Sequence, residues 1–141
     1  MDINLTLLKN TNGIIYINEF KKTIYIEVLC PKYNRENYLE LVEYLKNFWI
    51  LTSYSDKKYR QIFICKDVDI YPLEFYDTFI KILKSLDNIF QKHLHASCLI
   101  NDSTAINILR PILNSYKAIR PFKVLKTFDD GLTFVNSQIL E

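Results

Sequence analysis

Apolar and polar residues alternate at the start of the chain, Ile-Asn-Leu-Thr-Leu from Ile3, the period of a strand with one face buried. Asn12-Gly13 is a turn signal. A second strand follows over Ile14 to Phe20, then a turn at Lys21-Lys22, then a third strand over Thr23 to Leu29, closed by Pro31. Together these three predict an antiparallel meander. The period then changes. Tyr38, Leu41, Val42, Leu45, Phe48 and Trp49 recur at helical spacing, with Glu36, Glu40, Glu43 and Asn47 on the opposite face and Asn34 placed to cap the start. This predicts an amphipathic helix over 35–48, with Trp49 to Tyr54 left as short strand or loop.

Tyr59 to Cys65 is a nearly continuous apolar run, as expected of a strand buried on both faces. Pro72 suits a first helical position, and the helix it opens carries a polar stripe from Glu74 to Asn88 and a broad apolar face to about Lys92. His95 to Ile100 is the next buried strand, and Asp102 or Ser103 can cap a short helix bearing Ile106, Leu109 and Leu113, interrupted at Pro111. Pro121 opens a strand over Phe122 to Leu125. Asp129-Asp130 can cap a last helix with Leu132, Val135 and Ile139 on one face, although Thr133, Phe134 and Val135 suit a strand equally. A meander followed by alternating strand and helix units predicts an α/β fold. Its sheet is mixed, antiparallel at the start and parallel in its core, with about four helices. The helices over 35–48 and 72–92 have faces wide enough to pack on one side of it.

Composition narrows the class. The chain has 141 residues, 49% hydrophobic and 24% charged, the size and make-up of one globular domain that needs no metal or disulfide to hold its core. With 18 basic and 16 acidic residues it lacks the basic excess of a nucleic-acid-binding surface. The pairs Lys21-Lys22 and Lys57-Lys58 read as solvated turns. Cys30, Cys65 and Cys98 are odd in number, far apart and set in apolar runs, which fits buried free thiols in a reducing cytoplasm. There is no signal-peptide pattern and no apolar run long enough to insert in a membrane. Heavy use of Ile, Asn, Lys and Tyr points to an AT-rich genome, as in a protist or a large DNA virus. Tyr16, Tyr25, Tyr38 and Tyr44 are expected to bury their rings and keep their hydroxyls wet.

Three stretches carry a resemblance. Tyr59-Arg-Gln-Ile-Phe-Ile-Cys-Lys-Asp-Val-Asp-Ile70, Leu99-Ile-Asn-Asp-Ser-Thr-Ala-Ile-Asn-Ile-Leu109 and Phe122-Lys-Val-Leu-Lys-Thr-Phe-Asp-Asp-Gly-Leu132 follow one pattern of topology and polarity. They are a central strand with its loop, a strand with a capped short helix, and a last strand with a capped terminal helix. From Gly13 onward the order resembles the STAS domain of sulphate transporters and anti-sigma-factor antagonists. Regulatory members of that family carry Asp-Ser-(Ser/Thr)-Gly before the long helix and are phosphorylated on its hydroxyl. The matching stretch here is Ile70-Tyr-Pro-Leu-Glu74, without Ser, Thr or Gly. The resemblance therefore implies a STAS-like scaffold for partner contact without the serine switch.

The remaining chemistry is sparse. His93 and His95 would share one face of a strand, but no Cys or carboxylate stands at ligand spacing, so the pair reads as surface or interface rather than metal site. Cys98 is too close to His95 along one strand to be aimed by it as a nucleophile. Two glycines, Gly13 and Gly131, make no phosphate-cradling loop. Asp67 and Asp69 flank the end of the central strand, where open α/β sheets place ligands. A phosphoacceptor site there, as in receiver domains, would also need an acidic pair after the first strand, which is absent, and a late Lys, which Lys126 could supply. No cofactor is expected. The sequence is read as a non-enzymatic protein–protein interaction or assembly module whose partner is another protein or a second copy. Its contact edge is Asp67, Asp69 and Glu74 around Tyr71. The alternative is a small enzyme or ligand- or phosphate-binding domain using the acidic loop 66–72.

Overall fold

The computed structural model describes residues 3–29, 33–65, 72–102, 110–111, 113 and 116–141. One six-stranded sheet runs in sequence order: β1 (Leu5–Asn10), β2 (Gly13–Asn18), β3 (Thr23–Val28), β4 (Tyr59–Ile64), β5 (Leu94–Ile100) and β6 (Phe122–Leu125). β1, β2 and β3 pair antiparallel, and β3 to β6 pair parallel. The expected meander and parallel core are both present. Four helices lie wholly among the described residues: α1 (Arg35–Thr52), α2 (Leu73–Ser85), α3 (Asp87–His93) and α4 (Phe128–Asn136).

Two cores sandwich the sheet. Leu41, Leu45 and Trp49 of α1, Phe75, Phe79 and Leu83 of α2, and Phe90 of α3 pack on Ile15, Ile24, Ile26, Phe63 and Leu99. On the other face Val135 of α4 closes over Tyr25, Ile62, Ile64, Ala96, Cys98 and Ile100. Ile62 and Phe63 are neighbours that serve opposite cores, which is why the run over Tyr59 to Cys65 shows no alternation. β4 and β5 do not align residue for residue. Tyr59 faces Leu94 but Gln61 faces Ser97, so an extra residue is accommodated in β5 beside His95.

Several boundaries differ from expectation. α1 runs on to Thr52 instead of yielding a strand or loop at Trp49, because Trp49 and Thr52 continue its buried stripe. It ends where Ser53 N–H turns back to the Trp49 carbonyl at 3.0 Å. The single helix expected over 72–92 is two, broken at Leu86 (φ −99°, ψ 2°). Ser85 Oγ bonds the Ile82 carbonyl at 2.7 Å there, a local bond that competes with the helical ladder. Pro72 is the extended residue before α2 rather than its first helical residue. α4 is a helix, resolving the ambiguity at Thr133 to Val135. Its cap is Thr127, whose Oγ1 accepts from Asp130 N–H at 3.1 Å, while Asp129 and Asp130 occupy the first turn, where the helix dipole favours them. Ile139 lies beyond α4 and is exposed. The short helix expected after Asp102 lies largely outside the described residues. Leu113 from that region is buried in the first core.

Candidate functional site

The two ends of the sheet differ in chemistry. At the C-terminal ends of β3 to β6 lies the edge expected to bind a partner. Asp67, Asp69 and Tyr71 fall outside the described residues. Glu74, in the first turn of α2, is exposed and holds Arg35 Nε at 2.5 Å, tying the starts of α1 and α2 together. Lys126 follows β6 at the same end and is exposed. Asn34 caps α1 as expected, accepting from Asn37 N–H at 3.0 Å. The β1–β2 turn locks onto this cap. Asn12 Oδ1 accepts from Asn34 N–H at 2.6 Å, and Asn10 Nδ2 donates to the Asn37 carbonyl at 2.8 Å.

The opposite end gathers apolar surface. Among the described residues eight large hydrophobic side chains are exposed, and all but Leu73 lie at or beyond the N-terminal ends of β3 to β6: Ile3, Leu5, Phe20, Leu51, Tyr54, Ile119 and Ile139. Each follows from the topology. β1 starts and β2 ends here, α1 arrives here from the far end, and the segments before β6 and after α4 return here. Sequence reading missed this concentration at one end. The signal was present in apolar residues at turn positions or off the helical stripe: Phe20 precedes Lys21-Lys22, Tyr54 precedes the turn at Ser55, and Leu51 stands outside the buried face of α1.

A groove of about 380 Å³ opens at this end between α1 and the turns beside it, with Tyr44, Phe48 and Leu51 on one wall and Glu19, Lys57 and Tyr59 on the other. Its floor is rigid. Phe48 meets the Tyr59 ring edge-on at 5.2 Å, and Trp49 backs both. Glu19 is the polar hub. It accepts from Tyr59 OH at 2.6 Å and from Lys22 Nζ at 2.6 Å, and Lys57 Nζ stands 3.9 Å away. Partial burial would raise the Glu19 pKa, but the hydrogen bonds from Lys22 and Tyr59 outweigh it and hold the carboxyl below its ordinary value. The Tyr59 hydroxyl is pushed up, first by burial and then by its bond to Glu19. One lysine of each pair read as a solvated turn, Lys22 and Lys57, thus joins a charged network on Glu19.

The other chemical candidates are separated. His93 ends α3 with Nδ1 at 2.8 Å from the Lys57 carbonyl, whereas His95 on β5 accepts at Nδ1 from Leu140 N–H at 2.9 Å. The helix–strand junction therefore splits the pair that one strand would have aligned. Among the described residues no group of three or more His, Cys, Asp or Glu is placed to hold a metal ion. Cys65 and Cys98 are buried free thiols, as expected, in opposite cores. Burial pushes Cys98 up to about 12. Cys30 lies outside the described residues. Tyr38 departs from expectation, since its hydroxyl is buried and donates to the Phe75 carbonyl at 3.1 Å. Tyr25 is likewise buried, stacked between Tyr16 and Phe128. Among the described residues no helix is long and apolar enough to cross a membrane.

The chain shares its fold with SiaC. The structure of apo-SiaC from Pseudomonas aeruginosa superposes with a TM-score of 0.55 at 10% identity, over 87% of this chain and 98% of that one. A second structure of SiaC of Pseudomonas aeruginosa gives a TM-score of 0.57 at 10% identity, over 89% and 99%. No protein-family model matches the sequence, and no curated protein matches it.

Proposed function

We propose that this chain is a non-enzymatic protein-interaction module on a STAS-like scaffold. One observation carries the reading: at the end of the sheet where seven of the exposed large apolar residues lie, a groove sets Leu51, Phe48 and Tyr59 beside the charged pair Glu19 and Lys57. Exposed apolar residues scattered singly are ordinary, but an apolar groove bordered by charge is the character of a protein interface. The resemblance to STAS domains adds a second contact at the opposite edge, Asp67, Asp69 and Glu74 around Tyr71. In that family this edge meets the partner, and without a phosphoacceptor it serves contact rather than turnover. The partner is another protein or a second copy, met in the cytoplasm.

The test is affinity capture of the tagged chain from its native cells, with size measurement of the purified protein. Two variants are compared with wild type: Leu51→Asp with Tyr54→Asp, and Asp69→Lys with Tyr71→Ala. Loss of a partner, or of self-association, with unchanged melting supports the end that was altered. If both variants fold and keep every partner, the interaction reading is wrong at both ends. Loss of a hydrolytic or phosphotransfer activity in the second variant would instead favour the acidic loop 66–72 as an enzymatic or phosphate-binding site.

A further inference from the structure

We infer that the groove between α1 and the turns 19–22 and 55–58 docks an acidic segment of a partner protein through one large apolar side chain. The inference rests on the interaction reading above and adds the partner's chemistry. The anchor is set by shape. The groove's volume of about 380 Å³ is at the small end of ligand pockets, which run from about 300 to 1,000 Å³. Leu51 at its mouth is 72% exposed, so apolar surface there is unburied until something covers it. Phe48 and Tyr59 are held edge to face and need no reordering on binding, which removes part of the entropic cost of association.

The charge of the partner follows from the rim. Of the lysines in the flanking turns, Lys57 lines the groove and Lys22 reaches Glu19 beside it, while Lys58 turns away to the Leu140 carbonyl. Glu19 serves both Lys22 and Lys57, at 2.6 and 3.9 Å, so one carboxylate balances two ammonium groups. Lys57 is half exposed at the groove wall and its contact is the longer of the two. A carboxylate from outside would complete its charge, whereas a cation brought there meets like charge. The partial negative end of α1, whose last carbonyls bond the N–H groups of Ser53, Tyr54 and Ser55, is smaller than the net unit charge left by Lys22 and Lys57 on Glu19. Such complementarity sets which partner is admitted and how fast it arrives more than it sets affinity.

The probe is a random-peptide library displayed on phage, selected on the folded full chain and read against Leu51→Asp and Lys57→Glu. Both positions are exposed, so folding is checked by an unchanged thermal melt. The expected peptides carry net negative charge and a large apolar residue. They lose at least about tenfold in affinity to either variant, the size of one good interface contact. They also bind more weakly as salt is raised. Neutral or basic peptides that are sensitive to Leu51→Asp but not to Lys57→Glu would overturn the acidic partner and leave the docking end in place. Peptides insensitive to both variants, or no enrichment at all, would overturn the acidic partner and count against this end as a docking surface. Dimerisation of the wild-type chain that Leu51→Asp abolishes would assign the groove to a second copy instead.

Discussion

Gln61 is the polar residue on which the first core depends. It is fully buried, accepts from Trp49 Nε1 at 2.8 Å and donates to Ser97 Oγ at 3.3 Å. An amide in that position satisfies an indole N–H that would otherwise be sealed from water, and an unsatisfied buried donor costs more than a made bond contributes. Gln61→Leu keeps the volume but strands the indole. It is expected to destabilise the fold by about 1–3 kcal/mol, read as a lower urea midpoint with an unchanged slope. Ser97→Ala should cost less, since its bond is the longer one. Equal stability of Gln61→Leu and wild type would show that the bond to Trp49 contributes nothing.

At the scale of elements, the irregularity in β5 sets His95 against the chain's last residues. Its Nδ1 accepts from Leu140 N–H, so the proton of the neutral ring is on Nε2, while Lys58 Nζ donates to the Leu140 carbonyl at 3.2 Å. Burial lowers the His95 pKa from 6.5 to about 4, and Arg60, Lys58 and Arg120 reinforce the shift. The unfolded chain takes up a proton near pH 6.5 that the folded chain refuses until about pH 4. This contribution to stability is therefore whole above the upper value and declines as pH falls through the window between them. A protonated ring also presents a donor to the Leu140 donor, so the tail should come loose first. Acid titration followed by the His95 ring resonances and the Leu140 amide is the measurement. His95→Gln should flatten the stability profile across that window, and a profile unchanged by the substitution would remove His95 as its cause.

For the whole molecule, protection should follow the order of the strands. β3, β4 and β5 are paired on both sides and nearly all buried, whereas β1 is an edge strand with exposed Leu5 and an irregular register between Thr6 and Leu8. Native-state hydrogen exchange should show the slowest amides in β4 and β5, opening with the global free energy, and fast local exchange in β1. Protection of β1 equal to that of β4 would mean that its edge is covered, and would move the search for an interface there. A fold shared with SiaC at 10% identity is consistent with this layout. A sheet closed between two apolar layers asks for hydrophobic residues of suitable volume, not for particular ones.

The pattern of the chain alone determined the mixed α/β fold, the meander, the parallel core, the cap at Asn34 and the placement of the first two long helical segments on one face. Periods of two and of about 3.6 residues are written in consecutive positions, and burial on both faces shows as a continuous apolar run such as Tyr59 to Cys65. The run of α1 through Thr52 and the helical state of α4 were decided by packing, since each turns on whether one side chain finds a core to enter. Glu74 was legible as a charged residue, but its partner Arg35 lies 39 positions away in sequence. The exposed end was illegible for the same reason. Phe20, Leu51 and Ile139 are single apolar residues in their own neighbourhoods, and only a sheet that returns its turns and tails to one end brings them to the same end of the molecule.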